Sequence, residues 1–362
     1  MRKMMAILVA MLIVPLLCLA PAEAQTKLKF QTPFVPGTWD YMWGENYVKT
    51  VNQLSGGRLQ ITLEPPGAIV PAFEILDAIN KGVLDGGVSW SGYWTGKNTA
   101  FSLYASATGG PFGLNNWDYI AWLYTGGGAQ LYREILDKMK YRVVWFPIWG
   151  EMPEPLGWFK KPIKSAADLK GLKMRAAGLA ADVFKELGAA VTTLAAGEIL
   201  PALERGVIDA SEYSDPHSDL GLGFPDVCKY YYLPGMHQPT GVGEVFFNKG
   251  VWDKLPADLR VLIELAANEA MMLNWTKAWD MNIKALDDIR AKGVNVMETP
   301  KDVLIEFLKA WDKVAARESA KNPDFAKVYE SQKKFAARHV PYQRIVNPDY
   351  SIAADYYWPR KK

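Results

Sequence analysis

Cysteine is nearly missing from this chain. The 362 residues contain two, Cys18 and Cys228, and the first falls in an N-terminal segment that reads as a leader. One remaining cysteine cannot close a disulfide within the chain, so stability has to come from a packed core. Histidine is as scarce: His217, His237 and His339 have no ligand spacing among themselves, which argues against a zinc centre. No G-x-S-x-G turn precedes a helix, so a serine nucleophile has no support. No phosphate-cradling or dinucleotide-binding glycine loop follows a predicted strand. Neither sign of charge dominates, with 41 Lys and Arg against 39 Asp and Glu. That balance implies no field strong enough to recruit nucleic acid. Together these absences speak for a chain that is not an enzyme and not a nucleic-acid partner.

What is present begins with the leader. Arg2 and Lys3 precede an apolar run from Met4 to Leu19, and Ala22-Glu23-Ala24 offers small residues for cleavage. This is the order of a secretory signal peptide over residues 1–24. A membrane anchor is the competing reading, but the run is short for a bilayer span. The remaining chain is long enough for a sizeable core in two domains.

Strand-like and helix-like segments then alternate. Lys27–Gln31 alternates with a period of two, Asp40–Leu54 reads as a helix stopped at Ser55-Gly56-Gly57, and Arg58–Leu63 reads as a strand. Pro71 opens a second helix and Gly82 closes it before another strand. The segment Glu74–Asp85 (EILDAINKGVLD) recurs as Glu198–Asp209 (EILPALERGVID). In each copy a helix ends on glycine, which adopts the left-handed conformation at low cost. Two copies of a βαβ design predict an α/β, two-lobed clamshell with hinge strands, with ligand at the carboxyl ends of the strands. The expected lobes are residues 25–149 and 150–238, with part of 239–260 returning to the first. Long bracing helices are expected over 256–319, the longest running from Asp258 to about Ala291. A C-terminal helical extension follows over 320–362, with a helix from Asn322-Pro323 to about His339.

The candidate site residues sit where strands end. Arg175 closes Leu172-Lys173-Met174-Arg175; its guanidinium can hold a carboxylate by two parallel hydrogen bonds or sit in a surface ion pair. Glu212 and Tyr213 follow the second copy of the repeat, and Asp215-Pro216 has the pattern of a helix cap and first turn. Glu154 is held between Pro153 and Pro155, and Gln238 lies in His237-Gln238-Pro239. A carboxylate, an amide and a backbone carbonyl together suit a hard cation such as sodium or calcium. Trp90, Tyr93 and Trp94, with Asn98 beyond, crowd the end of the first-lobe strand among glycines. Such rings either fill the core or line a pocket. Cys228 reads as part of a buried strand and as inert.

At these residues the chain resembles the DctP-type solute-binding subunits of tripartite ATP-independent periplasmic (TRAP) transporters. It is most similar to the branch that binds 2-oxo and 2-hydroxy monocarboxylates. The resemblance rests on Pro66–Glu74 (PGAIVPAFE), Tyr93-Trp94 with Gly96-Lys97-Asn98, Gly109–Gly113 (GGPFG), Pro155–Phe159 (PLGWF), Leu169–Arg175 (LKGLKMR) and Pro201–Gly206 (PALERG). It implies two hinged α/β lobes that close over the ligand. It further implies that Arg175 clamps the ligand carboxylate, and that a sodium or calcium ion bridges ligand and protein at Glu212 and the Tyr213 carbonyl. Tyr93 and Asn98 match positions expected to touch the ligand. The chain departs from the branch at Glu154, Tyr213 and Gln238, where Gln, Trp and Glu are usual. Some relatives exchange a C-terminal helix to form homodimers, which would give the segment Asn322–His339 that role.

The expectation is therefore a periplasmic receptor that hands a small carboxylate such as pyruvate or lactate to the small and large TRAP membrane subunits. An aromatic or dicarboxylic ligand, a ligand-sensing subunit and an exported enzyme are the alternatives.

Overall fold

Strands β1 (Thr26–Gln31), β2 (Leu59–Glu64), β3 (Gly86–Trp90) and β4 (Val143–Gly150) form along the first part of the chain. In the computed structural model, which describes residues 25–105, 108 and 110–359, these strands share one sheet with a strand that arrives much later. The expected signal peptide lies outside the described residues. Strands β5 (Gly157–Phe159), β6 (Lys173–Arg175), β7 (Ala190–Thr192), β8 (Ala210–Ser211) and β9 (Tyr230–Leu233) follow, then β10 (Val242–Asn248) and β11 (Asn295–Glu298).

The first sheet has the order β2-β1-β3-β10-β4, and the second the order β11-β9-β5-β8-β6-β7. Strands β1, β2 and β3 run parallel, whereas β10 is antiparallel to both β3 and β4. Each sheet thus anchors one lobe of a two-lobed α/β fold. The chain crosses from the first lobe to the second after β4 and crosses back between β9 and β10.

The internal repeat holds in three dimensions. Ile75 and Ile199 are buried, as are Ile79 and Leu203, while Val83 and Val207 are both exposed. Gly82 and Gly206 take φ of 75° and 70°, conformations that cost a side chain but not glycine. Val83 N then donates to Ala78 O at 2.9 Å, and Val207 N to Ala202 O at 3.0 Å, closing both helices in the same way. Asp85 N bonds Lys29 O and Asp209 N bonds Lys173 O, which docks each copy onto its neighbouring strand.

Helix Trp39–Leu54 buries Trp39, Trp43, Tyr47 and Val51 at helical spacing, and the Thr38 hydroxyl caps it by accepting from Tyr41 N. The long helix Ala257–Ala291 has 35 residues and so spans about 52 Å. It packs on β4, on helix Trp39–Leu54 and on helix Pro216–Gly221 of the second lobe. Its buried Asn274 donates to Trp43 O and Ile148 O and accepts from Asn46 Nδ2, fixing the helix to the first lobe.

Three expectations need correction. The span 256–319 is not helical throughout, because Asn295–Glu298 joins the second sheet parallel to β9. Its four residues, Asn-Val-Met-Glu, do not alternate and are flanked by long helices, which hides the strand. The C-terminal helix does not stop near His339 but runs Pro323–Val346 through Pro341; the final turns are exposed, where the lost hydrogen bond is less costly than in a packed helix. Cys228 lies just before β9 rather than in it, and burial raises its thiol to about 12. Among the described residues, no helix is long and apolar enough to cross a membrane.

Candidate ligand-binding site

The carboxyl ends of β3, β6 and β8 converge on the cleft between the lobes. Beyond β3 a helical turn, Ser91–Trp94, carries Tyr93. Strand β6 ends on Arg175 and β8 leads directly into Glu212 and Tyr213. The two crossing segments run side by side, with Glu151 N bonded to Gly241 O and Glu154 N to Gln238 O, each at 3.0 Å. They bring Glu151, Glu154, His237 and Gln238 beside the strand ends.

The lobes are closed on one another. Ser214 Oγ of the second lobe donates to Asp40 Oδ1 of the first at 3.0 Å, and Trp39 N donates to Ser218 Oγ at 3.0 Å. Leu179 N donates to Ser102 Oγ at 3.2 Å. Between the lobes lies a cavity lined by polar groups that include Arg175, Glu212 and Gln238, and by rings that include Tyr93 and Tyr213.

Arg175 is buried, with 1% of its surface exposed. Its Nη1 donates to Glu212 Oε2 at 2.6 Å and to Glu212 O at 3.1 Å, and its Nε to Leu194 O at 3.1 Å. The Tyr213 ring stands 5.6 Å from its Cζ, within cation–π range. Burial disfavours the guanidinium charge, but Glu212 and its neighbours outweigh that effect and hold the pKa above its ordinary value. Glu212 Oε1 also accepts from Ala177 N at 2.6 Å. Burial raises the Glu212 pKa, and Arg175 opposes the rise.

Glu154 adjoins Glu212. Burial first, and the Glu212 charge second, push its pKa well above the carboxylate range. His237 Nε2 lies 3.4 Å from Glu154 Oε1 without an aligned hydrogen bond. Burial holds His237 down at about 3, so it is neutral and is not an ionic partner. Both Glu154 carboxylate oxygens are buried without a hydrogen-bond donor. Two buried carboxyls side by side call for a proton or a cation between them. Gln238 and Tyr213 line the cavity with Glu212, whereas Glu154 is not among its lining residues. Among the described residues no group of three or more His, Cys, Asp or Glu is arranged to hold a metal. A cation here would rest on two carboxyls together with neutral oxygens.

Not every sequence candidate reaches the cavity. Asn98 caps the turn Thr99–Phe101 by accepting from Ala100 N, and its Nδ2 donates to Asp324 Oδ2 at 2.9 Å. Asn322 Nδ2 donates back to Asn98 Oδ1 at 2.6 Å. The expected ligand contact is therefore a tie between the first lobe and the C-terminal helix. Trp94 belongs to the core, its Nε1 bonded to Glu244. The cavity also includes Phe34, Asp40, Trp149 and Glu151, which sequence reasoning passed over. Asp40 reads as an ordinary acidic residue in a helix's first turn, and Glu151 stands ahead of the more conspicuous Pro153-Glu154-Pro155.

The model of the DctP family, described as bacterial extracellular solute-binding protein, family 7, matches residues 38–322. A monocarboxylate 2-oxoacid-binding periplasmic protein of Nostoc is 34% identical over 310 residues, covering 86% of this chain and 84% of that one. A TRAP transporter solute-binding protein of Bordetella bronchiseptica, crystallised as a mixed-occupancy dimer with calcium and picolinate, superposes with a TM-score of 0.84 at 33% identity. That match covers 92% of this chain and 97% of the other. A TRAP solute-binding protein of Pseudoalteromonas atlantica with bound sodium and pyruvate superposes with a TM-score of 0.83 at 29% identity, covering 91% and 99%.

Proposed function

The chain belongs to the DctP family of bacterial extracellular solute-binding proteins, and from that premise we propose that it captures a small 2-oxo or 2-hydroxy monocarboxylate on Arg175. Family members are solute receptors of transporters, so this is a binding protein and not an enzyme. The observation that carries the ligand reading is a buried guanidinium lining a closed cavity between two lobes. Its Nε and Nη1 are bonded to Leu194 O and to Glu212 and Tyr93 hydrogen-bonds the guanidinium as well, so the group is held in place at the cavity wall. The relative from Nostoc and the pyruvate-bound neighbour support the same ligand class.

Ligand enters the open cleft, and closure then excludes water and strengthens each polar contact. Micromolar capture corresponds to about −8 kcal/mol; charge-assisted bonds from a desolvated arginine contribute a large part of it. A sodium or calcium ion would be held by Glu212, the Tyr213 carbonyl, Glu154 and Gln238, and would supply positive charge beside the ligand oxygens. The exchange of Glu and Gln between positions 154 and 238, relative to the expected pattern, keeps the number of carboxyls while moving one of them.

The leader over 1–24 would deliver the protein to the periplasm, where it would pass ligand to the small and large TRAP membrane subunits. The C-terminal segment would join two copies into a homodimer. Tyr342, Ile345, Tyr350, Ile352, Tyr356 and Trp358 are all exposed there, a concentration of apolar surface that a lone chain leaves in water. An aromatic acid is the second reading, favoured by the rings of Trp90, Tyr93 and Trp149 around the cavity.

A thermal-shift screen of the mature protein against pyruvate, lactate, longer 2-oxo acids, dicarboxylates and aromatic acids tests this, with and without calcium or sodium. A ligand that binds only the folded state raises the melting temperature. A cation-dependent rise with 2-oxo or 2-hydroxy acids supports the proposal. A rise with aromatic or dicarboxylic acids alone replaces the ligand, and no rise with any acid overturns the carboxylate role.

A further inference from the structure

Five rings line the cavity between the lobes, Phe34, Trp90, Tyr93, Trp149 and Tyr213, and they are not supported alike. Phe34 and Trp149 both back onto the buried Trp43, at ring separations of 5.3 and 5.5 Å. Those two, with Trp90 and Tyr213, are buried. Tyr93 alone of the five is half-buried. Its hydroxyl end meets the Arg175 guanidinium. Its ring stands edge to face with Trp90 at 5.3 Å and with Phe73 at 5.0 Å.

Behind Tyr93 lies space rather than core. Tyr93 and Ala177 line the cavity and also a second, outer groove between the lobes. Phe73 and Gly96 of the first lobe and Gly178 and Ala181 of the second line that groove further. A side chain built at Gly96 would meet nothing within 4 Å of its Cβ. Ala177 is fixed by its N–H, which donates to Glu212 Oε1 at 2.6 Å, and its methyl group is too small to divide the two spaces. The Tyr93 ring is therefore the partition. A ligand with its carboxylate on Arg175 lies against rings whose backing does not yield, so added methylenes overpack the cavity. Without the Tyr93 ring, a longer chain would have an apolar course past Phe73 and Ala181.

We propose that Tyr93 sets the length of the ligand, walling the cavity off from the outer groove so that short-chain 2-oxo or 2-hydroxy acids are taken and long-chain ones rejected. The proposal rests on the carboxylate reading and narrows it: selection is by chain length, and one side chain makes it.

Pyruvate, 2-oxobutyrate, 2-oxohexanoate and 2-oxooctanoate, titrated calorimetrically into the full mature chain with calcium and sodium present, provide the test. The wild type binds 2-oxooctanoate about a hundredfold or more weakly than pyruvate, since one misfitted methylene already costs about tenfold. Tyr93→Ala and Tyr93→Leu shrink that ratio by about tenfold or more, whatever the lost hydroxyl does to pyruvate itself. Tyr93→Phe keeps the ring and so keeps the wild-type ratio. A wild type that binds every chain length within about threefold overturns the proposal. So does a ratio left unchanged by Tyr93→Ala and Tyr93→Leu, or one that Tyr93→Phe lowers as far as they do. Folded Ala and Leu variants that bind no acid would make Tyr93 a ligand group rather than a wall, and two variants that fail to fold would make it a core residue; either result overturns the proposal. Binding without length preference sinks only this inference, whereas failure of every acid to bind the wild type removes the carboxylate reading beneath it.

Discussion

Arg175 Nη1 and Glu212 Oε2 stand 2.6 Å apart with side chains only 2% and 3% exposed. Each is the other's main answer to desolvation, and both project from adjacent strand ends of the second sheet. Removing one partner of a buried pair is far more harmful than removing both. Arg175→Ala should therefore lower stability by about 3–5 kcal/mol. The double variant Arg175→Ala, Glu212→Gln should recover a substantial part of that loss. Thermal melts of the four proteins in this cycle measure the coupling, and strictly additive effects would show that the pair is not a unit.

Stability should fall as pH rises through the neutral range. Glu244 is buried and accepts from Trp94 Nε1, Trp145 Nε1 and Tyr132 OH, yet burial still lifts its pKa to about 7. An acid whose folded-state pKa is raised gives its full contribution below the unfolded value, and that contribution is lost as pH climbs through the folded one. A shift of this size corresponds to a loss on the order of 3 kcal/mol between pH 4.5 and 7. Asp40, also near 7, adds to the same slope. Melting temperature measured from pH 5 to 8 should decline, and Glu244→Gln should flatten the decline.

Asn98→Ala should leave ligand affinity within about twofold, since the side chain bonds Asp324 and Asn322 rather than the cavity. It removes a cap and two ties to the C-terminal helix, worth about 1 kcal/mol in typical caps. Calorimetric Kd and melting temperature, taken on the same sample, separate the two effects.

Truncation before Tyr342 should keep the fold. The buried side chains of the C-terminal helix, Phe325, Val328, Gln332 and Ala336, all precede the cut, while the described residues beyond it are exposed except for the half-buried Gln343. Sedimentation should show the full chain as a dimer and the shortened one as a monomer, with equal melting temperatures at low concentration. A shortened chain that still dimerises would place the interface elsewhere.

The sequence was most legible where local physics is redundant. In the repeat Glu74–Asp85 and Glu198–Asp209, helix periodicity and glycine stop agree and the structure reproduces both, but Val83 and Val207 lie exposed in bends and the strands start only at Gly86 and Ala210. The long helix was also clear, because nothing in Asp258–Ala291 interrupts its pattern. Strand β11 was obscured because Asn-Val-Met-Glu shows no alternation and lies between long helices. Within the site, Arg175, Glu212, Tyr213, Tyr93 and Gln238 could be picked out because they stand at strand ends or among rings and prolines. Asp40 could not, because its place in the cavity depends on closure of the second lobe over a helix start. Asn98 misled for the opposite reason: a polar residue beside aromatic rings resembles a pocket group, but here it caps a turn and meets a helix more than two hundred residues away in sequence.

Calorimetric titration of pyruvate tests whether Arg175 holds the ligand carboxylate in a cation-assisted pocket. Wild-type protein and the Arg175→Ala variant are each measured with calcium or sodium, and again after chelation and sodium removal. Wild-type binding should weaken about tenfold or more without the cations, and a variant that retains normal circular dichroism should show no measurable binding. Pyruvate affinity retained by a folded Arg175→Ala protein would contradict that role of Arg175.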